Sequence, residues 1–250
     1  MIRTGVILPT FRDTPDEALE AAHRAFAAGV DGVFCYDHLW PIGQPDRPAL
    51  APFPILATLA ASVRAVSTSG QGPIFGTLVA RTGLVPNAVL VNQFAALDAL
   101  APGRVIAGLG TGDRLSEAEN LAYGIPFAPV AERRSAMVDV AHALRARGLT
   151  VWLAGGPAAR ARESRETGAA LNVWDADPAM VAARAEGPVG VEVTWGGPPP
   201  KEESVVRKAV RDLTRAGATW VIFAPPIDPS LLVAAALEAG ASSGGPEAGS

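Results

Sequence analysis

Apolar runs of five or six residues alternate along this chain with stretches of helical character, and the alternation occurs eight times. The runs predict strands at Thr4–Leu8, Gly32–Tyr36, Ile74–Val79, Val105–Leu109, Thr150–Ala154, Ala170–Trp174, Val189–Thr194 and Thr219–Ala224. A strand followed by a helix and then another strand must cross over, so the strands lie parallel, and strands buried on both faces read as near-continuous apolar runs. Eight such units favour a single closed (βα)8 TIM barrel, with an open doubly wound sheet as the structural competitor. Three helix-to-strand junctions, Gly29-Val30, Gly168-Ala169 and Gly217-Ala218, place a glycine where a helix ends in the left-handed conformation. The first helix is expected to start at Thr14-Pro15-Asp16-Glu17, with Thr14 as N-cap, Pro15 at the first helical position and Glu17 closing a capping box. Leu19, Ala22 and Phe26 then share one face.

With 250 residues and 49% apolar content the chain can bury one substantial core, so residues 1–240 are expected to form one barrel domain. Residues 241–250, rich in Gly, Ser and Ala, are expected to be a disordered tail. A net charge of -4 and only two lysines, Lys201 and Lys208, supply no basic stripe, which argues against a nucleic-acid partner. Cys35 is the sole cysteine, so no disulfide forms within the chain. No apolar run approaches the roughly 18 residues of a membrane span, and no signal-like segment precedes the first strand, so a cytoplasmic protein is expected. Residues 41–54 contain five prolines and predict a stiff loop at the rim of the barrel, a candidate lid.

Active sites of such barrels lie at the carboxyl ends of the strands. The richest end is at residues 103–135, where Val105–Leu109 runs into Gly110-Thr111-Gly112 and then a helix for which Ser116 and Glu119 suggest an S-x-x-E capping box. Gly155-Gly156-Pro157-Ala158 opens another helix; its unpaired N–H groups and dipole suit a phosphate, to which Arg160 could add charge, while the same residues also fit a plain tight turn. His38 is the histidine placed for proton transfer, with Asp37 to orient it, because His23 and His142 fall within helices. The alternative for Asp37-His38 is a strand end that caps a turn, and for Asp113 an acidic residue complementing a helix dipole. Gly76 suits close approach of a ligand to the third strand or tight packing, with Thr77 beside it. Trp40, Trp174 and Trp195 are expected to wall the mouth. None of these strand ends carries a lysine, which disfavours Schiff-base chemistry, and three scattered histidines make no metal site.

Taken in order, Tyr36-Asp37-His38-Leu39-Trp40, Gly76-Thr77-Leu78-Val79, Gly110-Thr111-Gly112 and Trp152-Leu153-Ala154-Gly155-Gly156-Pro157 resemble the luciferase-like family of flavin- and deazaflavin-dependent oxidoreductases. The resemblance extends over residues 1 to about 226. It implies hydride transfer between deazaflavin coenzyme F-420, or FMN, and a small organic substrate; the alternatives are an FMN-dependent monooxygenase and a non-catalytic flavin-binding barrel. It implies that Gly155, Gly156, Pro157 and Ala158 hold the cofactor phosphate, and that Gly76, Thr77, Gly110, Thr111, Gly112 and Trp174 lie along the cofactor. His38 would lie near the reactive ring, and Asp113 would stand where some members place a longer catalytic carboxylate. Larger members carry an insertion that this chain lacks, since Arg147-Gly148 passes straight to Thr150. The substrate side is therefore expected to be shallow, or completed by the second copy of a homodimer.

Overall fold

The computed structural model describes residues 1–66, 72–155, 158–186 and 190–242. Among these, strands β1 (Arg3–Ile7), β2 (Gly32–Cys35), β3 (Ile74–Thr77), β4 (Ala80–Arg81), β5 (Val105–Gly110), β6 (Thr150–Ala154), β7 (Ala170–Trp174), β8 (Val193–Gly197) and β9 (Ala218–Phe223) alternate with helices. The helices are α1 (Asp16–Ala28), α2 (Pro52–Val66), α3 (Asn87–Leu100), α4 (Arg114–Ala122), α5 (Val130–Ala146), α6 (Ala158–Thr167), α7 (Pro178–Ala185), α8 (Glu203–Arg215) and α9 (Pro229–Ser242). Every strand pairing is parallel. Pairing of β3 with β5, and of β9 with β1, closes eight strands into the expected (βα)8 barrel, while two-residue β4 extends the edge of β5. Among the described residues no helix is long and apolar enough to cross a membrane.

Strand alternation sorts side chains into two cores. One lies between strands and helices and includes Val33, Phe75, Leu109, Val151, Val173 and Val221. The other fills the barrel: Ile7, Phe34, Leu78, Ile106, Trp152, Ala170, Trp220 and Ile222. Three large rings fit there because glycines stand opposite. A Cβ on Gly5 would fall 2.8 Å from both Phe34 and Ile222, and one on Gly76 2.6 Å from the Phe34 ring. At the helix ends Gly29 (φ 86°), Gly168 (φ 67°) and Gly217 (φ 87°) are all left-handed as expected, and Val30 N–H reaches back to Ala25 O.

Four local expectations change. The strand expected at Val189–Thr194 runs Val193–Gly197, and Val189 lies outside the described residues. This register turns Trp195 outward into the helix layer, 5% exposed, with its indole N–H donating to Ala176 O at 2.8 Å; it does not wall the mouth. Helix α1 starts one residue late, with Pro15 at the N-cap position and no side-chain cap, because the Thr14 hydroxyl donates to Asp16 instead. Pro52 and Pro54 belong to the first turn of α2, so the rim loop is shorter than 41–54; Leu50 N–H fastens it to Thr10 O at 2.8 Å. Helix α9 also continues through Ala241 and Ser242; residues 243–250 lie outside the described residues.

Candidate active site

Above the aromatic fill, the mouth is lined by small residues on one part of its circumference and large ones on the other. Gly110, Ala154, Gly196 and Ala224 are the small residues, whereas Tyr36, Leu78, Val79 and Trp174 project. The Leu78–Val79 peptide is cis. A Cβ on Gly110 would meet Val79 Cγ2 at 2.5 Å, and one on Gly196 would meet Leu78 and Trp174 at 3.1 and 3.2 Å. Trp174 is 48% exposed and is aimed by Asp175, a non-glycine residue at φ 50° whose N–H donates to Gly196 O. Phe11, Tyr36, His38 and Trp174 form one continuous aromatic wall: Phe11 stacks on Tyr36 at 5.7 Å, and Tyr36 meets His38 at 6.2 Å and Trp174 at 6.1 Å. Burial pushes the Tyr36 phenol well above its usual value, so it stays protonated.

His38, just past β2, is 26% exposed and its Nδ1 lies 2.7 Å from Glu119 Oε1. A carboxylate only accepts, so Nδ1 carries the hydrogen and Nε2 is the ring atom left for a substrate. Glu119 is 1% exposed; its Oε2 accepts the Leu39 N–H at 2.7 Å and Arg81 Nη2 at 3.0 Å. Arg81 is buried too, and its other arm donates to Ser116 O at 3.2 Å. Its main-chain N–H donates to Asp37 Oδ2 at 3.0 Å. Burial holds the Asp37 carboxyl above its ordinary value, opposed by that N–H and by the Arg81 charge. Asp37, Arg81, Glu119 and His38 are thus one connected set. Arg81 is not among the residues singled out from the sequence, and Glu119 is expected there only as a capping-box partner of Ser116.

Asp113 stands at a helix start, as the second of its two expected readings has it. It is the N-cap of α4: its Oδ1 accepts from Leu115 N–H at 2.9 Å and Ser116 N–H at 3.0 Å, while Ser116 Oγ accepts the Asp113 N–H. The capping box is therefore Asp113–Ser116, one turn earlier than Ser116–Glu119, which leaves Glu119 to reach His38. Burial raises the Asp113 carboxyl, but the hydrogen bonds from Ser116 and Leu115 outweigh it and hold the group below its ordinary range. In the preceding turn Gly112 is left-handed (φ 69°), and a Cβ there would lie 2.8 Å from Arg81 Cδ, so both conformation and space require glycine. Arg133 holds this turn from outside, donating to Thr111 O at 2.8 Å and packing 3.8 Å from the Phe127 ring.

Across the mouth, Gly155 ends β6 at φ 144° with its N–H donating to Asn172 O. Gly156 and Pro157 lie outside the described residues, and Ala158 begins α6. Arg160 does not present a free charge to this turn: Nη1 pairs with Glu163 at 2.7 Å, and Glu163 also pairs with Arg134. Its Nε, however, is buried without a hydrogen-bond partner, directly under Gly155, where an added Cβ would lie 3.0 Å away. Gly76 and Thr77 serve the barrel wall, the former against Phe34 and the latter donating its hydroxyl to Gly108 O at 2.7 Å. Trp40 is 8% exposed and stands against Tyr123 at 6.1 Å.

A sequence profile described as luciferase-like monooxygenase matches residues 2–195. The chain belongs to that family. Among its luciferase-like relatives, an F420-dependent glucose-6-phosphate dehydrogenase of Kineococcus radiotolerans is 32% identical over 187 residues, covering 74% of this chain and 48% of the relative. An F420-dependent hydroxymycolic acid dehydrogenase of Mycobacterium tuberculosis is 33% identical over 114 residues, 45% of this chain and 32% of the relative. This luciferase-like chain spans about half, or less, of the length of the curated relatives it matches. In fold it is similar to an F420-dependent secondary alcohol dehydrogenase in complex with an F420-acetone adduct, at a TM-score of 0.70 and 14% identity, covering 94% of this chain and 97% of the other.

Proposed function

We propose that this chain is an oxidoreductase that uses a deazaflavin of the F420 type to transfer hydride to or from a small uncharged organic substrate. The observation that carries the reading is His38, 26% exposed, held by a buried carboxylate through Nδ1, which leaves Nε2 as the nitrogen for proton transfer. The cofactor would supply a two-electron hydride centre, which no side chain of this protein can provide. The residues present fit such a group. A flat ring would lie along Leu78, Val79 and Trp174, which cover the small residues Gly110 and Gly196, with Ala154 and Ala224 beside them, and Thr111 and Gly112 would border it. The Gly155 turn, with Gly156, Pro157 and Ala158 after it and the unpartnered Arg160 Nε beneath, would take the phosphate.

In this reading His38 accepts the proton of an alcohol, or gives one to a carbonyl, at Nε2. Asp37 fixes the chain around it by accepting the Arg81 N–H, and Asp113 shapes the neighbouring turn as a helix cap. An uncharged substrate is favoured because the wall beside His38 is Phe11, Tyr36 and Trp174, and because the guanidiniums nearest the mouth have partners: Arg81 with Glu119, Arg133 with main-chain carbonyls and Arg160 with Glu163. The test is fluorescence titration of the purified protein with F420 and with FMN, followed by His38→Ala. We expect saturation by F420, a mutant dissociation constant within roughly tenfold of wild type, about 1.4 kcal/mol, and turnover lowered about a hundredfold or more. Saturation by FMN alone, or a wild-type rate in the mutant, would overturn the assignment.

A further inference from the structure

The geometry points to Glu119 as a positioning residue that selects which nitrogen of His38 carries the proton, with Arg81 and the Leu39 amide fixing which carboxylate oxygen faces the ring. The inference rests on the reading of His38 given above, but its first measurement does not. Glu119 comes from α4 and His38 from the loop after β2, 81 residues apart in sequence, yet the pair is at 2.7 Å with the carboxylate 1% exposed. Three donors converge on this carboxylate: the ring on Oε1, and the Leu39 N–H and Arg81 Nη2 on Oε2. The two donors on Oε2 cannot turn into acceptors, so that oxygen's identity is fixed by its surroundings.

Helix α4 is oriented to make this contact. Ser116, Glu119 and Asn120 are buried on its inner face, while Leu115 and Leu121 are 52% and 60% exposed. An amphipathic helix ordinarily turns its apolar face inward. Here Asp113 caps the first turn, Arg81 binds Ser116 O, and the Asn120 amide reaches Gly83 O and Pro126 O, so polar contacts hold the helix against the barrel edge. The arrangement leaves Nε2 as a lone pair in the neutral ring, ready to take a hydroxyl proton. When it does so, the ring becomes a cation against Glu119, and Nδ1 keeps its own hydrogen throughout.

Glu119→Gln tests this directly. Leu39 N–H and Arg81 Nη2 both require an acceptor, so the amide oxygen must occupy the Oε2 position and the amide NH2 must face His38 Nδ1. The hydrogen bond then reverses, and the neutral ring must place its hydrogen on Nε2. In protein labelled with 15N-histidine, free of cofactor and held about two pH units above the usual imidazole value, the wild-type His38 ring should have a protonated Nδ1. Glu119→Gln should exchange the two nitrogen signals; His23 and His142 serve as internal references. Turnover in alcohol oxidation should fall at least tenfold with the cofactor dissociation constant within threefold, and Glu119→Asp should retain the wild-type tautomer and recover part of kcat. Identical tautomers in wild type and Glu119→Gln would overturn the proposal. If Glu119→Gln fails to fold, a wild-type ring protonated on Nε2, or Glu119→Asp with an Nε2-protonated ring, does so equally. A tautomer that switches as expected while His38→Ala keeps full turnover would instead overturn the catalytic reading and leave the positioning intact.

Discussion

On one side of the mouth, between β2, β4 and α4, Asp37, Arg81, Glu119 and His38 are joined through side chains and buried ion pairs, whereas on the other, between β6 and α6, the turn after Ala154 presents main chain over an arginine already paired with Glu163. The first side is specified by residue chemistry, so each member can be replaced and the loss assigned. The second is specified by backbone conformation, chiefly Gly155 at φ 144°, and tolerates side-chain change only where no Cβ intrudes. A chemical step that moves a proton needs the first kind of wall. Holding an anion at a helix start needs the second.

Mutations should separate the two walls. The largest effect is expected at Arg81→Met, which strips a 1%-exposed carboxylate of its counter-ion; breaking a buried pair from one side costs about 3–5 kcal/mol, read as a lowered denaturation midpoint. A change of less than about 1 kcal/mol would mean that solvent reaches Glu119 and that the side-chain wall is not sealed. Gly155→Asp should act on the other wall, weakening F420 binding at least tenfold in a fluorescence titration through both the added carboxylate and the loss of φ 144° at the turn, while far-UV circular dichroism still reports the barrel. Unchanged affinity would remove the α6 turn from the cofactor site. The smallest effect is expected at Asp113→Ala, about 1 kcal/mol of stability from loss of an N-cap. Its pH dependence has a definite sign. The folded-state carboxyl lies below its ordinary value, so the cap's ionic part is present at neutral pH and fades as pH falls through that lowered value. The wild-type advantage should therefore shrink in acid; growth in acid would contradict the cap assignment.

The barrel was legible because its strands alternate with helices and glycines mark the helix ends; seven of the eight expected strands lie within about two residues of the observed bounds. The eighth slipped because Val189, Val191 and Val193 alternate after Pro188 as a strand would, while the true β8 carries Gly196-Gly197 at its end. The strand-end rule brought His38, Asp37 and the glycine turns to notice. It missed Arg81, and it read Glu119 as a helix cap and not as the partner of His38, for a physical reason. Hydropathy turns Leu115 and Leu121 of α4 inward, and only tertiary contacts reverse that face. Buried Ser116, Glu119 and Asn120 share positions i, i+3 and i+4, so a polar stripe at helical spacing beside the glycine turn after β5 was the available signal. Arg160 suits phosphate by type; Glu163 three residues on pairs with its Nη1, and Nε is left toward the Gly155 turn, a split that residue type alone does not reveal.

The rings of Phe34, Trp152 and Trp220, with centroids 5.3 to 5.8 Å apart, close the lower lumen. The barrel is a cup, not a tube. A ligand bound for His38 would come over the rim where Trp174 is 48% exposed, and under the proposed function product and incoming substrate would contend for that doorway. A protein of this shape is expected to be inhibited competitively by its own product, and its maximum rate to follow how quickly the cup is emptied.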